Sequence, residues 1–163
     1  MRCSRTVLLS LALLVVVALA GPAGASAKRN PYTGPGVCGP GYKAIDRHKL
    51  VDGNNGILLA EVVLSYKAST GQNCVVTLKR YRIGLKTKYY DNVYADLYTK
   101  PLSTPGNTTS DQGSFAYFAG PVYVTARSKC VQWGGGADLW APSNWHPRGV
   151  LHSAFRSGWT HCG

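Results

Sequence analysis

The chain carries a single glutamate, Glu61, and four histidines, His48, His146, His152 and His161. A ribonuclease-like hydrolase needs a carboxylate base, an imidazole acid and a cationic clamp for the phosphate, and Glu61, His152 and Arg156 are the residues that could fill those roles. No motif fixes their spacing. The sequence contains no Gly-x-Ser-x-Gly, no His-Glu-x-x-His and no phosphate-cradling glycine loop. Glu61 reads equally well as an outward residue of an apolar strand. No catalytic residue is assigned on this basis, and a small secreted hydrolase of nucleic acid or wall polymer is the alternative reading.

A second kind of chemistry is electrostatic. Five of the ten residues from 79 to 88 are basic. If this stretch is extended, Arg80, Arg82, Lys86 and Lys88 share one face, and Tyr81, Ile83 and Leu85 share the other. Such a stripe could hold anionic wall or spore-surface polymers; it could equally be a solvated strand face that guards an edge. A third kind is stacking. Trp140, Trp145 and Trp159, with Asn144 nearby, have the flat rings and polar neighbours that sugars use, although tryptophan more often anchors a core. Trp133, in an apolar run, is the expected core member.

The first 27 residues set the compartment. Arg2 and Arg5 precede an uncharged run from 7 to 20, which Gly21-Pro22 ends, and Ala25-Ser26-Ala27 supplies small residues for cleavage after Ala27. This is the layout of a secretory signal, and the 14-residue run is too short to span a bilayer. Cys3 lies before that run, so it is not placed for lipid anchoring. From residue 28 onward there are 16 Lys and Arg against 7 Asp and Glu. That balance favours attraction to polyanions without specifying a fold.

Four cysteines follow the signal: Cys38, Cys74, Cys130 and Cys162. An even number in an oxidising compartment reads as two disulfides. Zinc fails on spacing, since no Cys-x-x-Cys pair exists and no two of the four lie within 30 residues. No metal or cofactor is expected, and no thiol is left over as a nucleophile.

Strand signals dominate the elements that must carry these groups. Leu58, Ala60, Val62, Leu64 and Tyr66 alternate with Leu59, Glu61, Val63, Ser65 and Lys67, between turns at 52–56 and 69–73. Further strands are expected at 74–85, 93–99, 114–119 and 122–133, with a less clear first strand at 42–50. Residues 101–113 are expected as a loop, and Gly134-Gly135-Gly136 as the end of the last clear strand. Beyond it an irregular, Trp-rich tail should wrap the sheet, tied through Cys162. Short strands at this spacing predict an all-β fold, a compact antiparallel β-sandwich or small barrel. The organisation expected is a cleaved signal (1–27), a short disordered N-terminus (28–36) and one β domain (37–163). Asn107-Thr108-Thr109 fits the glycosylation pattern and is expected to mark an exposed loop.

Three disulfide connectivities are possible. If the strands after Cys38 and Cys74 run parallel, with an antiparallel strand between or beside them, both cysteines open at the same end of one sheet. That favours Cys38–Cys74, and leaves Cys130–Cys162 to return the tail to the last strand.

Four ordered blocks carry a resemblance. They are Val37-Cys38-Gly39-Pro40-Gly41-Tyr42-Lys43; Ser69-Thr70-Gly71-Gln72-Asn73-Cys74-Val75-Val76-Thr77; residues 111–122 (DQGSFAYFAGPV); and Lys129-Cys130-Val131-Gln132-Trp133-Gly134-Gly135, with a closing Cys162-Gly163. In this set the chain resembles the spore-associated protein A family of small secreted bacterial proteins. The resemblance implies a place at the surface of aerial filaments and spores, and it brings no catalytic motif. In a bacterial source the glycosylation pattern would be idle. The sequence therefore reads as a secreted, non-enzymatic surface protein that binds or coats, without a membrane span once the signal is removed.

Overall fold

Alternation along the strands decides which side chains meet between two sheets. The computed structural model describes residues 29–85, 91–141 and 149–162. A short helix α1 (Gly34–Cys38) precedes β1 (Lys43–Val51), β2 (Leu58–Lys67), β3 (Gln72–Lys79), β4 (Asn92–Thr99), β5 (Thr108–Gly113), β6 (Phe118–Thr125), β7 (Val131–Trp140) and β8 (Val150–Arg156). Two four-stranded sheets form, ordered β1-β2-β3-β6 and β5-β4-β7-β8. Every pairing is antiparallel, so the fold is a β-sandwich.

Ala60, Val62, Leu64 and Val75 of the first sheet meet Val93, Ala95, Leu97, Trp133, Ala137, Leu139 and Leu151 of the second in one buried cluster. Trp133 is 2% exposed and takes the core position expected of it. Burying such side chains contributes about 1.5–3 kcal/mol each. The sheets approach closely at Gly135, where an added Cβ would lie 2.2 Å from Thr77 Oγ1. Thr77 uses that approach to donate a 2.7 Å hydrogen bond to the Tyr94 carbonyl in the opposite sheet.

The outer face of the first sheet is also apolar. Val63, Cys74, Val76 and Leu78 form a second cluster with Cys38, beneath the chain from Arg29 to Tyr42. Asn30 Nδ2 donates to the carbonyls of Lys79 (3.1 Å) and Tyr117 (2.8 Å), and Gly34 sits on Val63. Thr33 caps α1 by accepting from Gly36 N at 3.1 Å. Residues 29–36, expected to be disordered, lie against this outer face, held by the Asn30 amide and the close approach of Gly34 to Val63.

Both disulfides form as expected, Cys38–Cys74 and Cys130–Cys162. The reason holds as well: β1 and β3 run parallel with β2 between them, so Cys38 and Cys74 meet at one end of the sheet.

Several boundaries differ from the sequence reading. The strand expected to reach residue 85 ends at Lys79, and residues 80–85 turn, with Arg82 at φ 51°. The run 114–119 contributes to β6 only from Phe118, and 122–133 divides between β6 and β7 around a turn. The expected loop contains β5, an edge strand without apolar alternation that pairs with β4. Gly134-Gly135-Gly136 lies in the middle of β7, since the neighbouring sheet and strands need the space. Among the described residues, the tail is regular over β8 and irregular from Ser157 to Cys162. Asn107 is buried, its amide donating to the Pro101 carbonyl at 2.8 Å, so the glycosylation pattern does not mark an exposed asparagine.

Candidate functional site

The residues that face away from the core on β4, β7 and β8 come together as one polar surface. Tyr94, Asp96 and Tyr98 alternate with the buried Val93, Ala95 and Leu97 on β4. Asp138 and the backbone of Gly134 and Gly136 come from β7, and His152, Ala154 and Arg156 from β8. Gly134 pairs with both Asp96 and Arg156, and Gly136 with both Tyr94 and Ala154, so the middle of the face has a floor almost without side chains. A Cβ on Gly136 would lie 2.3 Å from the Tyr94 ring, which shows how closely that ring lies over the floor.

The polar groups on this surface pair with one another. Arg156 reaches across Gly134 to Asp96 Oδ2 (3.3 Å) and the Tyr98 hydroxyl (3.2 Å), and its guanidinium covers the Tyr98 ring at 5.1 Å. The His152 ring hydrogen-bonds Asp138, and the His152 amide donates to Asp52 Oδ2 at 3.2 Å. Burial, reinforced by Asp96 and Asp138, raises the Tyr94 phenol above its usual value. Burial and Asp96 raise Tyr98 likewise. Both rings therefore stay neutral hydrogen-bond donors well past neutral pH.

The three residues considered for hydrolysis do not converge. Glu61 lies on the outer face of the first sheet, bound by Arg80 and, at 3.3 Å, by Arg47. His152 and Arg156 lie on the outer face of the second sheet, across the core. Burial alone would raise the Glu61 carboxyl, but the hydrogen bonds and charges of Arg80 and Arg47 outweigh it and hold the group below the ordinary carboxylate range. Of the other histidines, His48 stacks on Phe155 with centroids 3.8 Å apart, and His161 pairs with Asp46 at 3.0 Å. His146 lies outside the described residues. Among the described residues, no group of three or more His, Cys, Asp or Glu side chains is arranged to hold a metal ion.

The basic segment divides. Lys79 is fully buried against Asp91 (3.3 Å), with its Nζ also donating to the carbonyls of Leu85 (3.0 Å) and Phe115 (3.2 Å). Burial pushes its ammonium below the usual lysine value, and Asp91 only partly restores it. Arg80 binds Glu61. Arg82 lies over the Trp140 ring, 5.1 Å from its centroid. Lys86 and Lys88 lie outside the described residues.

The tryptophans are dispersed. Trp140 ends β7, while Trp159 sits beside the Val131–Thr160 bridge at the start of that strand, with Lys100 over its ring at 4.8 Å. Trp145 lies outside the described residues. Tyr94, Asp96, Tyr98 and Asp138 were not singled out from the sequence. The signal for the first three was present, a polar and aromatic alternation opposite Val93, Ala95 and Leu97.

No family model matches the sequence, and no solved structure matches it either. The chain is 39% identical over 125 residues to spore-associated protein A of Streptomyces coelicolor, an alignment that covers 76% of this chain and 69% of that protein. Identity of that extent makes this chain a member of the spore-associated protein A family.

Proposed function

We propose that the chain is an exported protein of the spore surface that acts by binding rather than by catalysis, and that the outer face of the second sheet holds a neutral surface glycan. The relative's name supplies the location. The glycine-floored face carries the rest of the reading. Tyr94 offers a ring face, the Arg156 guanidinium lies over the neighbouring Tyr98 ring, and Asp96 and Asp138 supply acceptors for paired hydroxyls. Tyr94 and Tyr98 are about 13 Å apart along β4, a span that suits well-separated groups of one extended chain rather than neighbouring ones. Because Arg156 is already paired with Asp96 and the Asp138 carboxylate stands beside His152, the face suits a neutral polymer better than a polyanion.

A second reading, contact with anionic wall or spore-surface polymers through Arg80, Arg82, Lys86 and Lys88, is favoured by the excess of basic residues after residue 27. Co-sedimentation of residues 28–163 with neutral wall glycan and with teichoic acid, at low and physiological salt, separates the two. Glycan binding should be insensitive to salt and lost in Tyr94→Ala and Arg156→Ala. Polyanion binding should weaken steeply with salt and be lost when all four basic residues become alanine. Retention of neither polymer would sink both readings. Turnover of RNA or wall fragments that His152→Ala abolishes would establish a hydrolase instead.

A further inference from the structure

At the end of the sandwich where β2 turns into β3 and β6 into β7, a cavity of about 420 Å³ opens between the first sheet and the C-terminal tail. That volume falls within the roughly 300–1,000 Å³ of small-ligand sites. Tyr66 and Asn73 are cross-strand partners, on the face of the first sheet that carries Leu64 and Val75 toward the core. Asn73 is 3% exposed and lines the cavity, and among the described residues its carboxamide makes no hydrogen bond. Its amide is not sealed from solvent and opens into the cavity, where it can pair with what enters.

The charges around the cavity are already committed. Arg127 donates to the carbonyls of Ala68 (3.3 Å) and Ser69 (3.2 Å), and His161 pairs with Asp46. Arg127 keeps its positive charge, with one guanidinium nitrogen already held by those carbonyls, and the choice of a neutral ligand rests on the carboxamide of Asn73. A carboxamide both donates and accepts, so its natural complement is a second amide. Ile45 and Ala126 supply apolar wall for a methyl group, and Tyr66 supplies a ring face and a hydroxyl. The rim is built at a conformational cost. Ser128 (φ 56°) and His161 (φ 51°) both hold left-handed backbone, in segments that the Cys130–Cys162 bridge ties together.

We propose that this cavity binds a neutral N-acetylated amino sugar, with its acetamido group paired to Asn73 and its ring against Tyr66. The site lies apart from the outer face of the second sheet and goes beyond the reading given for that face. The experiment is a titration of residues 28–163, disulfides intact, with N-acetylglucosamine, glucosamine and glucose, followed by amide NMR shifts. Saturable shifts at Asn73, Ala126 and Ser128 are expected with N-acetylglucosamine alone. Asn73→Ala should weaken binding at least tenfold, and Ile45→Trp, which plugs the mouth from an exposed position, should abolish it. Tyr94→Ala, on the other face, should leave it unchanged.

Equal binding of glucosamine, full affinity in a folded Asn73→Ala, or no saturable binding at all would overturn the proposal. If Asn73→Ala does not fold, Ile45→Trp decides: retained affinity refutes the site. Loss of sugar binding only in Tyr94→Ala would refute the cavity while leaving the second-sheet reading intact. Cavity binding without retention on glycan would do the reverse.

Discussion

The outer face of the first sheet carries Val63, Val76 and Leu78 and is roofed by the N-terminal arm, while that of the second carries Tyr94, Asp96, Tyr98, Asp138, His152 and Arg156 and has no such cover among the described residues. Both are β-surfaces of one domain, yet they answer to different pressures. Valines on an outer face must be covered, so a chain segment is laid over them and crosslinked through Cys38–Cys74. A face of paired polar groups over glycines needs no cover and remains available to a partner. The closed face contributes stability and the open one offers contact. Substitutions on the two faces should therefore register in different measurements.

The largest effect expected is on the closed face. Replacing Cys38 and Cys74 with serine opens a loop of 36 residues, which should cost about 3–4 kcal/mol of unfolding free energy in urea. Protease cutting should then appear in residues 29–42, with signals from β4 and β8 unmoved. A loss below about 1 kcal/mol would mean that the arm is held by packing alone and the bridge is incidental.

Two glycines sharpen the comparison. A Cβ at Gly34 would lie 2.5 Å from Val63 Cγ1 beneath the arm, so Gly34→Ala should cost about 1–3 kcal/mol through overpacking. At Gly136 the added methyl meets the Tyr94 ring, which can tilt outward, and alanine suits a strand better than glycine. Gly136→Ala should stay within about 1 kcal/mol of wild type while weakening glycan retention. Equal thermal shifts for the two variants would break the distinction between the faces.

The pH dependence of stability tests the border of the closed face. The folded Glu61 carboxyl is held below its ordinary value of 4.5. Its contribution is thus complete above that pH and is lost as pH falls through the lower folded value. Glu61→Gln should cost about 1 kcal/mol or less at neutral pH, in keeping with partly exposed ion pairs. The gap from wild type should close in acid. A gap that stays constant down to the acid limit would show that Arg80 and Arg47 do not favour the ionised form.

The smallest effect on stability should come from the open face. Tyr94→Ala should change unfolding free energy by about 1 kcal/mol or less, since its ring lies on an uncovered floor. It should nevertheless abolish salt-insensitive retention on neutral glycan. A large loss of stability with unchanged retention would assign Tyr94 to the packing of the sandwich.

Local pattern alone was enough for the all-β class, the apolar alternation of β2 and the disulfide pairing. Period-two alternation is written in neighbouring residues, and the pairing follows from strand direction once β1, β2 and β3 are known to be consecutive. β5 and β8 were harder to see because edge strands need backbone pairing more than apolar side chains, and Thr-Thr-Ser-Asp-Gln-Gly shows a reader only loop chemistry. Gly134-Gly135-Gly136 looked like a terminator for the same reason: glycine's local preference is for turns. Only the contacts of Gly135 with Thr77 and of Gly136 with Tyr94, made across a sheet and across a strand, give those glycines their place.

The fate of the charges was decided wholly in three dimensions. Lys79, one of five basic residues in a run, is drawn inside because Asp91 waits there with two carbonyls, while Arg80 and Arg82 stay near the surface with partners of their own. Glu61 and His152 fall on opposite outer faces because each lies on the outward phase of its own strand, in different sheets. Composition tells how many such groups a chain holds. Which of them meet depends on strand register and sheet order, and these are fixed by burial of the apolar phase rather than by the polar residues themselves.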